Sequence, residues 1–238
     1  MQVGLVKSSF YFTYIFLITT GTICFIEALR NPDPKIRHIM NLETCISVVA
    51  GYFYAIFVDK INNKKPESKN GESKNLESKN GESKSEELRL KEINDTRYTD
   101  WAISTPLMLL VLCLVLGLEN KHVVKFWTFM LILLFNYLML GSGYIGELGK
   151  LPKTLANIIG FIFFSAMYYT IWNSYMLGKK TLQSIIIFSL FVGLWALYGV
   201  FYQTDTLTKI FGYNILDLIS KAFVGIFFWL YLTKSVKF

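Results

Sequence analysis

The chain has 238 residues, 53% of them hydrophobic and 17% charged, with a formal net charge of +7. That is too apolar for an ordinary soluble domain, and the charges are uneven, because the stretch 60–95 is almost wholly polar and leaves the remainder more apolar still. Soluble enzymes, disulfide-stapled secreted domains and disordered proteins are excluded, and the positive balance reads as membrane topology rather than affinity for nucleic acid.

A bilayer core about 30 Å thick needs roughly 20 apolar residues per helix. Seven stretches qualify, namely Phe10 to Leu29, Ile36 to Val58, Asp100 to Leu118, Val123 to Tyr144, Thr154 to Leu177, Leu182 to Tyr202 and Ile210 to Leu232. They must be helices, since open strands cannot satisfy their backbone groups in lipid. The first is longer than a signal-peptide core and lacks a small-residue cleavage pattern, so it is expected to remain a helix of the mature protein. The expected fold is an all-α membrane protein, a seven-transmembrane-helix bundle forming a single domain over 1–238. Arg30, Lys35 and Arg37 join the first two spans, Lys121 and Lys125 the third and fourth, Lys179 and Lys180 the fifth and sixth, and Lys234 and Lys237 follow the seventh. These segments should be cytoplasmic, with the N-terminus outside and the C-terminus inside.

The polar stretch 60–95 carries a five-residue repeat, Glu-Ser-Lys-Asn or a close variant, starting at Glu67, Glu72, Glu77 and Glu82. Alternating charge and the absence of aromatics predict a flexible external loop, with a short amphipathic helix from Glu86 to Asn94 leading into the third span. Its glutamates lack the spacing of a calcium loop. Cys24, Cys45 and Cys113 lie inside spans, where packing is the expected role. His38 and His122 sit at helix ends, and no metal site is expected.

Ionisable residues inside spans carry the functional signal, because charge in a bilayer costs several kcal/mol. Asp217 and Lys221 stand one turn apart in the seventh span, with Lys221 about midway along it. A desolvated lysine is driven towards its neutral amine, the form that condenses with an aldehyde. A purely structural ion pair is the alternative. In the third span, Arg97, Asp100 and Ser104 recur at helical spacing and are expected to form a polar ladder, unless Arg97 and Asp100 are interfacial anchors. Pro106 is tolerable there if neighbouring hydroxyls take up the freed backbone groups.

The run Arg97-Tyr-x-Asp100-Trp101-x-x-Ser104-Thr105-Pro106-Leu107 resembles the third helix of microbial (type 1) rhodopsins, and Asp217-x-x-x-Lys221 resembles their seventh. Trp195-x-x-Tyr198 is similar to the sixth-helix aromatic pair, although Gly199 and Tyr202 stand where bacteriorhodopsin has Pro and Trp. Met139-Leu-Gly141-Ser-Gly143 resembles the fourth-helix strip, with Asn136 where an Asp is familiar. The resemblance implies a central pocket with all-trans retinal covalently bound to Lys221 as a protonated Schiff base, and Asp100 and Asp217 as counterions. It makes Trp101, Thr105, Met139, Gly143, Trp195, Tyr198 and Tyr202 cofactor contacts.

The same resemblance implies an ion transporter rather than an enzyme, above all a light-driven outward proton pump with Asp100 as acceptor and Arg97 swinging to expel the proton. Val111 occupies the place of bacteriorhodopsin's donor carboxylate. Glu43 and Tyr54 are eleven residues apart, as are Asp100 and Val111, about 16 Å along a helix. Because the second span runs antiparallel to the third, Glu43 reaches the level of Val111 if Tyr54 lies near Asp100. Glu43 is therefore the expected donor, as in rhodopsins of giant viruses; an interfacial, hydrated glutamate is the alternative. Glu27 and Glu119 are expected to be solvated. Lys209 stands roughly where bacteriorhodopsin has a release glutamate, which leaves Glu147 as a substitute. A light-gated cation channel, a sensory photoreceptor and, outside the family, a seven-helix receptor or transporter without chromophore are the competing readings. The expected partners are the lipid bilayer, protons or other cations, and further copies of the chain in a trimer or pentamer, with no nucleic acid.

Overall fold

The protein is described here by a computed structural model covering residues 3–62, 77–178 and 180–233. The helices are α1 (Val3–Arg30), α2 (Pro34–Asn62), α3 (Glu77–Asn120), α4 (Phe126–Glu147), α5 (Lys153–Tyr175), α6 (Leu182–Tyr202) and α7 (Thr206–Asp217). A π-helical turn (Leu218–Phe223) and α8 (Val224–Leu232) continue α7 and complete a seventh span, Thr206–Leu232. Seven helices are long and apolar enough to cross a membrane, and each contains or closely overlaps one of the expected stretches. No strand occurs among the described residues. The chain is an integral membrane protein with all-helical architecture.

The largest difference from expectation is α3. Its 44 residues would extend about 66 Å at 1.5 Å per residue, twice the bilayer core. Positions 60–62 close α2 and 77–95 are helical, so the flexible loop expected over 60–95 is corrected at 60–62 and 77–85, while the helix expected from Glu86 to Asn94 is present and continuous with the third span. The segment entering the span is anchored: Leu90 and Ile93 are buried in a cluster with Val6, Phe57 and Ile61 of α1 and α2. Lys60 Nζ also donates to Thr96 Oγ1 at 2.9 Å. Composition alone does not reveal a partner surface supplied by other helices. The repeats starting at Glu67 and Glu72, together with Lys179, Lys234 and Lys237, lie outside the described residues.

Local chemistry explains the breaks and ends. Pro106 cannot donate to the carbonyl of Ala102, and Tyr137 Oη of α4 supplies that bond instead at 3.1 Å. Thr105 Oγ1 satisfies the neighbouring Trp101 carbonyl at 2.6 Å. α4 ends where Gly149 takes φ +72°, a left-handed conformation that lets Lys150 N–H return to Ile145 O at 3.2 Å. Thr181 caps α6 and Asp205 caps α7, each accepting a backbone N–H three residues on. At the π-helical turn, Thr20 Oγ1 of α1 donates to Ala222 O at 3.2 Å, so the irregular backbone is fastened from outside its own helix.

Candidate functional site

Lys221 lies in the π-helical turn, 1% exposed, with Nζ 2.8 Å from Asp100 Oδ2 and 3.5 Å from Asp217 Oδ1. Asp217 is heavily satisfied. Its Oδ2 accepts from Arg97 and Tyr54, each at 2.8 Å, and its Oδ1 accepts from Tyr198 at 2.7 Å and Trp101 Nε1 at 3.4 Å. Asp100 is the contrary case: Oδ1 is buried without a hydrogen-bond partner, and Lys221 is the donor on Oδ2. Two cations, Arg97 and Lys221, balance two carboxylates, which keeps a fully buried cluster neutral in sum.

The expected Arg97–Asp100–Ser104 ladder is not formed. Arg97 reaches across to α7, donating to Asp217 and, at 2.7 Å, to Asn214 Oδ1, while Ser104 Oγ is buried without a partner. A common helix face sets proximity of backbone, but the long guanidinium goes where two acceptors wait. Its carbon also lies 5.0 Å from the Phe57 ring centroid and 5.6 Å from that of Tyr54, with Phe10 and Tyr213 close by. Any swing of Arg97 must leave those acceptors and rings. Asn214 was missed in the sequence, although its spacing of three from Asp217 places both on one helical face.

Beside Lys221 runs a mostly apolar pocket between α3, α4, α5, α6 and α7. Trp101, Thr105, Met139, Gly143, Trp195, Tyr198 and Tyr202 all line it, and Asp217 and Lys221 close one end. Ser104 does not line it. Tyr98, Phe161, Phe164 and Tyr213 also line it and carried no recognisable spacing signal. Tyr202 Oη donates to Gly143 O at 3.0 Å, and Asn136 Nδ2 donates to Thr105 Oγ1 at 2.9 Å, so α4 is pinned to α6 and α3 around the pocket. A Cβ on Gly199 would lie 2.5 Å from the Phe161 ring, which shows how closely that ring seats on the α6 backbone.

Glu43 is 3% exposed and sits one helical turn past Lys221, where its Oε2 would be 3.0 Å from a Cβ built on Gly225. No hydrogen bond to its side chain occurs among the described residues. Val111 lies in the adjoining apolar core with Ile39 and Ile46, residues of the same helix as Glu43. Glu27 and Glu119 are not simply solvated. Glu27 accepts from Asn31 at 2.9 Å and Trp229 at 3.4 Å, and Glu119 accepts from Tyr231 at 2.6 Å and Thr181 at 3.3 Å. Except for Asn31, one turn from Glu27, these partners come from distant segments, which a helix-end position does not reveal. Towards the other end, Lys209 pairs with Glu147.

Residues 5–235 match the family described as bacteriorhodopsin-like protein. The chain belongs to the bacteriorhodopsin-like family. The crystal structure of viral rhodopsin OLPVRII is 45% identical, with a TM-score of 0.82 over 98% of this chain and 100% of that one. Opsin-1 of Neurospora crassa is 27% identical over 58% of this chain and 48% of its own length. Green-light absorbing proteorhodopsin from a gamma-proteobacterium is 29% identical over 56% of this chain and 59% of its own. The matched stretches thus span about half the length of these two relatives.

Rhodopsins of this family hold retinal on a lysine as a Schiff base. The residues here fit that group on two counts: a buried amine stands at the end of an aromatic-lined slot, and the carboxylate facing it keeps one oxygen, Asp100 Oδ1, unsatisfied.

Proposed function

We propose that this rhodopsin is a light-driven outward proton pump with retinal on Lys221, Asp100 as proton acceptor and Glu43 as donor. The observation that carries the reading is the unequal pair of carboxylates around Lys221 Nζ, one crowded with donors and one nearly bare.

All-trans retinal, when bound, supplies absorption of visible light and the change of shape that reorients Lys221 Nζ. Trp101, Trp195 and Tyr198 hold the slot rigid around it. A proton leaving Nζ goes to Asp100 rather than Asp217. The charge on Asp217 is already matched by Arg97 and three neutral donors, whereas Asp100 loses its hydrogen-bond donor at that moment. Nζ is refilled from the opposite side. Glu43, buried with no cation or donor upon it among the described residues, is best accommodated as a neutral acid and is one turn away. Val111 and the apolar residues around it keep water from short-circuiting the two sides. In this reading the N-terminal end of the bundle faces outside and the C-terminal end the cytoplasm, as the lysine and arginine distribution indicates. The whole of 1–238 acts as one domain, and assembly as a trimer or pentamer belongs to the same proposal.

The test is illumination of cells in unbuffered medium. A pump acidifies the medium with no driving gradient, and a protonophore abolishes the signal. A channel instead passes current that reverses with voltage, and a sensor gives neither. Lys221→Ala must remove the visible absorption band. Light without acidification, or a band that survives that substitution, overturns the reading.

A further inference from the structure

Asn214 of α7 is buried, and its side chain and carbonyl are both engaged. Its Oδ1 accepts from Arg97 Nη2 at 2.7 Å, its Nδ2 donates to Ser9 Oγ at 2.8 Å, and its carbonyl accepts from Thr13 Oγ1 at 3.0 Å. Ser9 and Thr13 stand one turn apart on α1, so that helix holds both the side chain and the main chain of Asn214. An amide shows a neighbour its oxygen or its nitrogen according to which way it is turned, and here Ser9 decides. The single hydroxyl proton of Ser9 goes to Val6 O at 2.7 Å, so Oγ accepts from Asn214 and the amide oxygen is left facing the guanidinium. Tyr54 Oη lies 3.2 Å from Oδ1 but nearer Asp217 Oδ2, at 2.8 Å, which leaves Arg97 as the main donor to Asn214.

We infer that Asn214 is a positioning residue that holds Arg97 on the Asp217 side of the cluster, with Ser9 setting the direction of its amide. The inference rests on the pump reading and deepens it, because the unequal partnering of the two carboxylates then has a cause outside the carboxylates themselves. Arg97 Nη1 bonds Asp217 and Nη2 bonds Asn214, three residues earlier on the same helical face, so both arms of the guanidinium are committed to α7. Asp100 stands three residues from Arg97 on α3, and its Oδ1 is buried without a partner. Removing the Asn214 acceptor makes Nη2 a buried donor with nothing to bond, which is unfavourable, and Asp100 Oδ1 is the open acceptor one turn along α3. A guanidinium arm turned there satisfies Asp100 as an anion, so the proton leaves Lys221 Nζ more slowly.

Two readouts on the retinal-bound protein test this. Flash spectroscopy measures how fast Nζ gives up its proton, and dark infrared spectra with isotope-labelled arginine, assigned by comparison with Arg97→Gln, report the hydrogen bonding of the guanidinium. Asn214→Leu is expected to shift the Arg97 bands and to slow loss of the Nζ proton about ten- to a hundredfold, the range set by one hydrogen bond to a charged group. Ser9 bonds neither Arg97 nor either carboxylate, yet Ser9→Ala moves both readouts in the same direction by less, and Ser9→Thr, which keeps the hydroxyl, restores wild-type values. Ser9→Ala/Asn214→Leu matches Asn214→Leu alone, because Ser9 acts through the amide. If Asn214→Leu does not take up retinal, Asn214→Ala serves in its place. A coloured Asn214→Leu protein in which either the bands or the rate stay as in wild type overturns the inference, and effects that add in the double variant overturn the part given to Ser9. A wild type that never loses the Nζ proton in light overturns the pump reading, and the dark Arg97 bands then decide by themselves whether Asn214 holds the guanidinium.

Discussion

Replacing Glu43 by Gln tests the inner half of the transport path. Glu43 packs against Gly225, four residues beyond Lys221, a displacement of about 6 Å along the helix axis. A carboxyl at that range can serve as an internal acid, and losing a positioned acid typically slows proton transfer about 10²- to 10⁴-fold. Glutamine is nearly isosteric, and Glu43 makes no hydrogen bond among the described residues and does not line the pocket, so the visible absorption maximum is expected to stay in place. The pH dependence is the sharper signature. With an internal donor, refilling of Lys221 Nζ proceeds at a rate independent of bulk pH. With Gln the proton comes from solution, and the rate falls about tenfold for each unit rise in pH, following proton concentration. Flash spectroscopy between pH 5 and 9 measures it, and added azide, a small diffusible acid, should rescue the variant. A Glu43→Gln protein whose refilling stays fast and independent of pH removes Glu43 from the mechanism.

Asp100→Asn deletes the acceptor and a charge 2.8 Å from Nζ; the visible band should move to longer wavelength and flash-induced loss of the Nζ proton should vanish, and an unmoved band would contradict the assignment of Asp100 as counterion. Gly199→Ala drives a methyl to 2.5 Å from Phe161, an overpacking worth about 1–3 kcal/mol, so retinal uptake by the apoprotein should slow and the purified protein should melt earlier than wild type. At the start of α7, hydrogen bonds from Thr208 hold the Asp205 carboxyl below its usual value of 3.8. Its capping contribution is therefore complete above the unfolded value and is lost as pH falls through the lower, folded one. Asp205→Asn keeps the acceptor without the titration, and thermal melts across that acidic range should show a weaker pH dependence than wild type.

Span number and the buried lysine were legible in the sequence because each is enforced by one dimension. A bilayer fixes how many apolar residues a helix needs, and a charge inside such a run is too costly to be incidental. Trp101, Trp195 and Tyr198, which line the pocket, were pointed to by the resemblance to microbial rhodopsins and not by helical period, since they stand on two different helices. Which acceptor a long side chain selects is a different matter. Arg97 shares a helix face with Asp100 yet bonds Asp217 and Asn214, more than a hundred positions away in the chain, because α7 brings two acceptors within its reach. The docking of Leu90 and Ile93 depended likewise on a surface built from α1 and α2, and the π-helical turn around Lys221 had no proline or glycine run to announce it. Pairings such as Lys209 with Glu147 and Trp229 with Glu27 join helices whose relative rotation no single segment encodes. Local periodicity determined what enters the membrane and which faces turn inward; packing of the helices against one another decided which buried charges meet.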